Sequence, residues 1–320
     1  MRKILIAAAI AIIFPQFLCA NEIYTIIPSN SQQVLQINLK NLAGMESIRQ
    51  DLVGNINRQT GLDPKNEKVQ DFSNLVEKVV AVTPDLMVDE TFIFVKFKIT
   101  EAEFCRKIEE LTGSRLVPVP GTNPVERRFT VEGNHIFPGV ALKKRTFAVM
   151  FRSPKVAVFA KDRLSNYLKF SGLGLSERKR KELDPPMALV SGFVEFTPEF
   201  LADNPYLPQI QRAVYFLSGG KDGSVRIQAS AACADEKMAN QTLIQIQQYV
   251  MVGGLMLNQV DPELMQEWIT SVRAGQDKNA VSLNAFFTKS FISRLAAASE
   301  KAAGVLNPPP PPAAKPEKKR

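Results

Sequence analysis

The sequence predicts an α+β protein of two similar units, each a mainly antiparallel sheet with helices packed on one face. Short runs rich in β-branched and aromatic residues are joined by Gly, Pro, Asp and Ser at hairpin spacing. Amphipathic stretches of helical period separate hairpins instead of alternating with single strands, which favours antiparallel over parallel pairing. The order strand, helix, strand, strand, helix, hairpin, helix is read twice, once in residues 21–170 and again in residues 187–304. The intervening 171–186, S-G-L-G-L-S-E-R-K-R-K-E-L-D-P-P, is the natural boundary.

In the first unit Val34 to Leu39 reads V-L-Q-I-N-L, a strand. Asn41 then caps a helix carrying Leu42, Met45, Ile48, Leu52 and Ile56 and closed by Gly61. Val79 to Val82 and Thr91 to Phe97 form a hairpin about Pro84, Asp85 and Asp89. Thr100 and Glu103 make a capping box, since each side chain can reach the other's backbone N–H, and the helix they open presents Phe104, Ile108 and Leu111 before ending at Gly113. Phe129 to Glu132 and Ile136 to Phe137 add short strands. Phe147 to Phe151 and Val156 to Phe159 then flank the turn Arg152, Ser153, Pro154, Lys155, and a helix from Asp162 carries Leu164, Tyr167 and Leu168.

The second unit opens with a strand from Ala188 to Phe196 and a short helix after Thr197 and Pro198. Ala213 to Leu217 and Ser224 to Ala231 pair about Gly219, Gly220, Asp222 and Gly223. Val225, Ile227, Ala229 and Ala231 alternate with Arg226, Gln228 and Ser230, so one sheet face is buried and the other wet. A long helix from Asp235 carries Ala239, Leu243, Ile246, Val250, Gly253 and Leu257 as a packing stripe. Asp261 and Pro262 cap a further helix with Leu264, Trp268 and Ile269. Val272 to Ala274 and Ala280 to Phe286 form the last hairpin, and Thr288 caps a closing helix with Phe291, Ile292 and Leu295.

The two ends lie outside these units. Arg2 and Lys3 precede an apolar run from Ile4 to Leu18, with small Cys19 and Ala20 after it, the order of a secretory signal peptide over residues 1–20 cleaved after Ala20. The run is interrupted by Pro15 and is shorter than the roughly 20 residues a spanning helix needs, so no transmembrane anchor is expected to remain. Lipid attachment at Cys19 is the lesser reading, because Leu18 occupies the place of a small residue. At the far end, five consecutive prolines after Asn307 lead to Lys315, Lys318, Lys319 and Arg320. Residues 305–320 read as a disordered, Pro-rich basic tail with a preference for extended polyproline II backbone.

The formal charge is +8 and falls to +6 once Arg2 and Lys3 leave, half of it in the tail. The folded body is therefore mildly basic, and with export expected, nucleic acid is excluded as a partner. The run Arg178 to Lys181, flanked by Glu177 and Glu182, reads as a solvated linker or short helix. Cys105 and Cys233, near helix starts in different halves, read as small buried thiols rather than a disulfide.

Reactive machinery is sparse. His135 is the single histidine, which excludes multi-histidine metal sites and supplies at most one member of a triad. The G-x-S-x-G elbow, the Walker loop and H-E-x-x-H are absent. Ser176 and Lys179 meet S-x-x-K spacing only by accident of the charged boundary. Asp85, Asp89 and Glu90 are where a calcium ion would be sought, though turn chemistry explains them. Gly219, Gly220 and Gly223 join two strands and so are no phosphate cradle. One Trp and five Tyr give few platforms for a sugar. No metal or cofactor is expected.

The insert from Ser114 to Arg145 is the main asymmetry between the units. It holds Arg127, Arg128, His135, Lys143, Lys144 and Arg145, the candidate binding residues, although strand-edge and loop residues that keep the surface soluble are the preferred account of them.

The paired layout, with V-L-Q-I-N-L after Pro28 opening the first unit and F-A-V-M-F-R-S-P-K-V-A-V-F closing it, resembles uncharacterised exported bacterial proteins built from two α+β units. The likeness spans residues 24 to 298. It implies an extracytoplasmic compartment and this fold, and it carries no catalytic residue. The expectation is an exported, periplasmic or secreted, non-enzymatic protein that binds an envelope component or another protein. The alternatives are a carboxylate-dependent envelope hydrolase and a structural subunit self-associating through the Ala239 to Leu257 helix.

Overall fold

The computed structural model describes residues 22–42, 71–72, 74–88, 90–133, 143–170, 172–204, 210–259, 261–295 and 297. Their strands are β1 Gln33–Asn38, β2 Val76–Thr83, β3 Phe92–Phe97, β4 Val117–Pro118, β5 Glu126–Gly133, β6 Lys143–Ser153, β7 Val156–Lys161, β8 Ala188–Glu195, β9 Ile210–Gly219, β10 Val225–Cys233, β11 Val272–Asp277 and β12 Ala280–Phe287. All join one twelve-stranded sheet in the order β11-β12-β10-β9-β8-β1-β2-β3-β7-β6-β5-β4. Every pairing is antiparallel. The chain is thus α+β around a large antiparallel sheet, and the sheet runs without a break through the expected boundary. Its middle is the pair β1 and β8, with Val34 opposite Phe193 and Gln36 opposite Ser191.

The helices are α1 Leu39–Leu42, α2 Glu101–Thr112, α3 Glu177–Leu183, α4 Pro198–Asp203, α5 Glu236–Asn258 and α6 Pro262–Ser271, with a closing helix over residues 289–295. The capping box of α2 forms as its sequence demands: Thr100 Oγ1 accepts from Glu103 N at 3.3 Å and Glu103 Oε2 accepts from Thr100 N at 3.0 Å. Gly113 ends the helix at φ 67°, a left-handed conformation that glycine adopts without a Cβ clash.

Because strand residues alternate between faces, the register sorts the core into two layers. Beneath one face, α2 sets Phe104 and Ile108 against Val95, Phe97, Phe129 and Val149. On that same face, α5, α6 and the closing helix cover Ile227, Val272, Leu283, Ala285 and Phe287. The opposite face carries Val34, Val80, Val82, Phe92, Phe94, Met150, Val158 and Phe193. It is covered by the helix over residues 22–25 with Ile23, Tyr24 and Ile27, by Leu164 and Tyr167, and by Leu175 and Leu183 around α3.

Helices on a single face therefore describes α2, α5 and α6, while α3 and the N-terminal turn lie on the other side. Six or more apolar residues point that way from the central strands, and burial demands a second cover. Two further readings change. No helix starts at Asp162: that residue takes φ 61° and only a 3-10 turn, Tyr167–Lys169, follows, as the segment crosses the sheet and buries Leu164 and Tyr167. The helix expected beyond Leu42 and the strand expected at Ile136 lie outside the described residues. The remaining strands and helices appear within a few residues of their expected bounds.

Candidate functional site

Among the described residues the basic insert does not gather its charges at one site. Arg127 and Arg128 sit side by side on β5 and so leave it on opposite faces. Arg145 pairs with Val131 and shares the face of Arg127, about 13 Å away along the strand. Arg127 Nη2 meets Glu101 Oε1 at 3.0 Å and its guanidinium lies over the Phe151 ring at 5.3 Å. Arg128 Nε donates to Glu126 Oε1 at 2.9 Å, and the other oxygen of this buried carboxylate accepts from Leu164 N at 3.2 Å. Those two arginines brace the sheet edge. Lys143 and Lys144 open β6, and His135 lies outside the described residues.

The acidic and glycine candidates are turn chemistry. Asp85 Oδ1 accepts from Met87 N, Glu90 Oε1 accepts from Asn166 Nδ2, and Asp222 Oδ1 accepts from both Ser224 N and its hydroxyl. Asp89 lies outside the described residues. Ser176 of the S-x-x-K match caps α3, accepting from Lys179 N at 3.3 Å. Among the described residues no three His, Cys, Asp or Glu side chains gather where they could hold a metal ion.

Among the described residues three grooves carry carboxylates, Glu101 lining two of them. One of about 410 Å³ is lined by Glu101, Cys105, Glu109, Leu116 and Arg127, but Glu101 is paired with Arg127 and Glu109 accepts from Leu116 N. Another of about 440 Å³ lies among Val88, Glu90, Phe147, Phe159 and Asp162, where Glu90 already holds Asn166. Both thiols are free, Cys233 buried and Cys105 half-buried, and burial pushes the Cys105 thiol above its ordinary value.

Of the two readings of the boundary segment, solvated linker or short helix, the structure shows the helix, α3, and it is held to the sheet by ion pairs. Arg212 on β9 donates to Glu182 through both terminal nitrogens and to Glu195 Oε1 at 3.0 Å, while Lys179 reaches Glu195 Oε2 at 2.8 Å. Lys179 and Arg212 also stand over the Phe193 ring, at 5.0 and 5.6 Å. Beside this network Lys78 Nζ sits 2.9 Å from Tyr24 Oη and 3.0 Å from Asp184 Oδ1, and Tyr24 donates to Gln36 at 2.6 Å. Burial pulls Lys78 below its ordinary value against the pull of Asp184. Burial also pushes Tyr24 up. These groups satisfy one another and clamp α3 and the N-terminal turn to the sheet.

Among the described residues, one side of α5 is left without a partner. Asp235 caps this helix, its Oδ1 accepting from Met238 N at 2.8 Å, and no charged residue occurs from Met238 to Asn258. The stripe read from the sequence is used inside the molecule: Ala239, Leu243 and Ile246 pack toward Cys233 and Val281, Val250 and Leu257 toward Phe287. Gly253 and Gly254 let α6 approach, since a Cβ on Gly253 would stand 3.3 Å from the Trp268 ring. Trp268 Nε1 donates to Val250 O at 2.8 Å and the ring stacks on Phe287.

On the other side Ile244, Tyr249, Met251, Val252, Leu255 and Met256 face outward, Tyr249 being 74% and Met251 and Met256 63% and 64% exposed. At about 100° per residue these six occupy less than half the helix circumference. Gln241, Gln245 and Gln248 fall within the same arc, so the outward face is uncharged and its apolar part is concentrated from Tyr249 to Met256. No family model, curated protein or solved structure matches the chain. Its role must therefore be argued from this surface.

The sequence held the signal, in the uncharged Y-V-M-V-G-G-L-M-L that begins at Tyr249. The four- and three-residue stripe accounts for one face of the helix and leaves the second unassigned. Among the described residues no helix is long and apolar enough to cross a membrane.

Proposed function

We propose that this chain is an exported, non-enzymatic protein of two similar units that acts by association, with the outward face of α5 as its contact surface for a protein partner. The exposed apolar face carries the reading. Six large side chains there amount to about 700 Å² of accessible surface, above the few hundred usual for the largest patch on a monomer. The leader-like residues 1–20 support the compartment.

The repeat is supported by strand order. β1-β2-β3-β7-β6 and β8-β9-β10-β12-β11 follow one connection rule, with a helix after the third strand packed on the same face in both. An envelope partner is tested by placing the photo-crosslinker p-benzoylphenylalanine at Val252 and, as control, at Gln228 on the wet side of β10. A discrete adduct in envelope extract from Val252 alone is expected. Equal labelling from both positions, or none from Val252, would refute the reading.

A further inference from the structure

We propose that the partner is a second copy of this chain, with two α5 helices docked antiparallel about a two-fold axis beside Val250. The proposal rests on the reading of that face as an association surface, and the pattern of residues names the occupant. In an antiparallel pair centred there, Ile244 of one copy falls opposite Met256 of the other, Tyr249 opposite Met251, and Gln248 opposite Val252. Leu255 falls opposite Gln245, so apolar meets apolar at Ile244–Met256 and Tyr249–Met251 and an amide meets an apolar side chain at the other two, the symmetric pairing a two-fold interface requires. Tyr249 against Met251 is also a favourable sulfur–aromatic pairing.

Charge and area agree with this occupant. With no charged residue between Met238 and Asn258, docking two copies along this stretch takes no charge of α5 out of water, and the amides of Gln245 and Gln248 are the polar groups whose hydration it gives up. A lipid surface fits less well, because helices that lie in a membrane interface carry Lys and Arg on their polar face, and the only basic residue of α5 is Lys237 at its first turn. About 700 Å² from each copy approaches the roughly 800 Å² per partner of a standard stable interface. Exposed Ile269 on α6 extends the patch.

Light scattering and sedimentation on the chain from Asn21 onward, from micromolar to submillimolar concentration, test this. Twice the monomer mass is expected. Replacing Met251→Glu and Leu255→Glu together should weaken association by about a hundredfold or more while leaving the far-UV spectrum and melting temperature in place. Gln248→Cys in a Cys105→Ser background should give a covalent dimer with a short bismaleimide, a readout that does not depend on charged substitutions being tolerated.

A dimer indifferent to Met251→Glu and Leu255→Glu would overturn the proposal, as would one lost on deleting residues 305–320, which would make the tail the occupant. A monomer throughout, or a monomer that floats with phosphatidylglycerol vesicles, would overturn it as well. Such a monomer with a discrete foreign-protein adduct from Val252 would remove the second copy and keep the association surface. A monomer with no adduct removes both.

Discussion

Lys78 is the residue whose state most depends on its surroundings. It is a buried cation on a central strand, with one carboxylate, Asp184, within reach. Removing that partner leaves an uncompensated buried charge, whereas removing both charges lets apolar contact substitute for the pair. Asp184→Asn is therefore expected to destabilise the fold by about 2 kcal/mol, below the full buried-pair range because Asp184 is partly exposed. Lys78→Met combined with Asp184→Asn should cost less than Asp184→Asn alone. Urea denaturation of the variants decides it, and a double variant weaker than either single one would contradict the account. Nothing in the local sequence E-K-V-V marks Lys78 as buried; its partners come from residues 24 and 184, far away along the chain.

At the scale of elements, α3 is the piece whose attachment is ionic. Burial of Glu182 acts to raise its carboxyl, but Arg212 and Arg178 outweigh it and hold the group below its ordinary 4.5. A carboxylate depressed in the folded state binds its proton at higher pH in the unfolded chain. Its contribution is complete above that ordinary value and is lost as pH falls through the folded one. Melting temperatures measured downward from neutral pH should therefore drop below about pH 4.5, and Glu182→Gln should remove part of that drop. A variant that follows the wild-type curve would show that the Arg212 network does not hold α3. The run R-K-R-K looks like an exposed face because charge is all the sequence displays. Lys179 is nevertheless one of the more protected cations, since tertiary contact places Glu195 and the Phe193 ring beside it.

For the whole molecule the controlling feature is the continuity of the sheet. β1 and β8 are neighbours, so the first strand of each half supplies the backbone partners of the other. Neither half can open at that seam without exposing a row of unpaired N–H and C=O groups. The apolar cover over this seam is also shared, with Tyr24, Leu175 and Leu183 packed on strands from both halves. Calorimetry of the chain from Asn21 onward is expected to show one unfolding transition, and two resolved transitions would mean that the halves melt independently.

Local pattern alone was enough for the α+β class, the hairpins and the capped helices, because alternation, turn residues and capping boxes act over a few residues. The inner stripe of α5 was legible for the same reason. What required the folded chain was long-range neighbourhood: the fusion of twelve strands into one sheet, the burial of Lys78, the pairing of Lys179 with Glu195, and the dispersal of Arg127, Arg128 and Arg145 over two faces. The same holds for the outward side of α5. From Tyr249 to Met256 its side chains are as apolar as the inner ones, and only packing determines which of two hydrophobic faces is consumed inside the molecule and which stays in water.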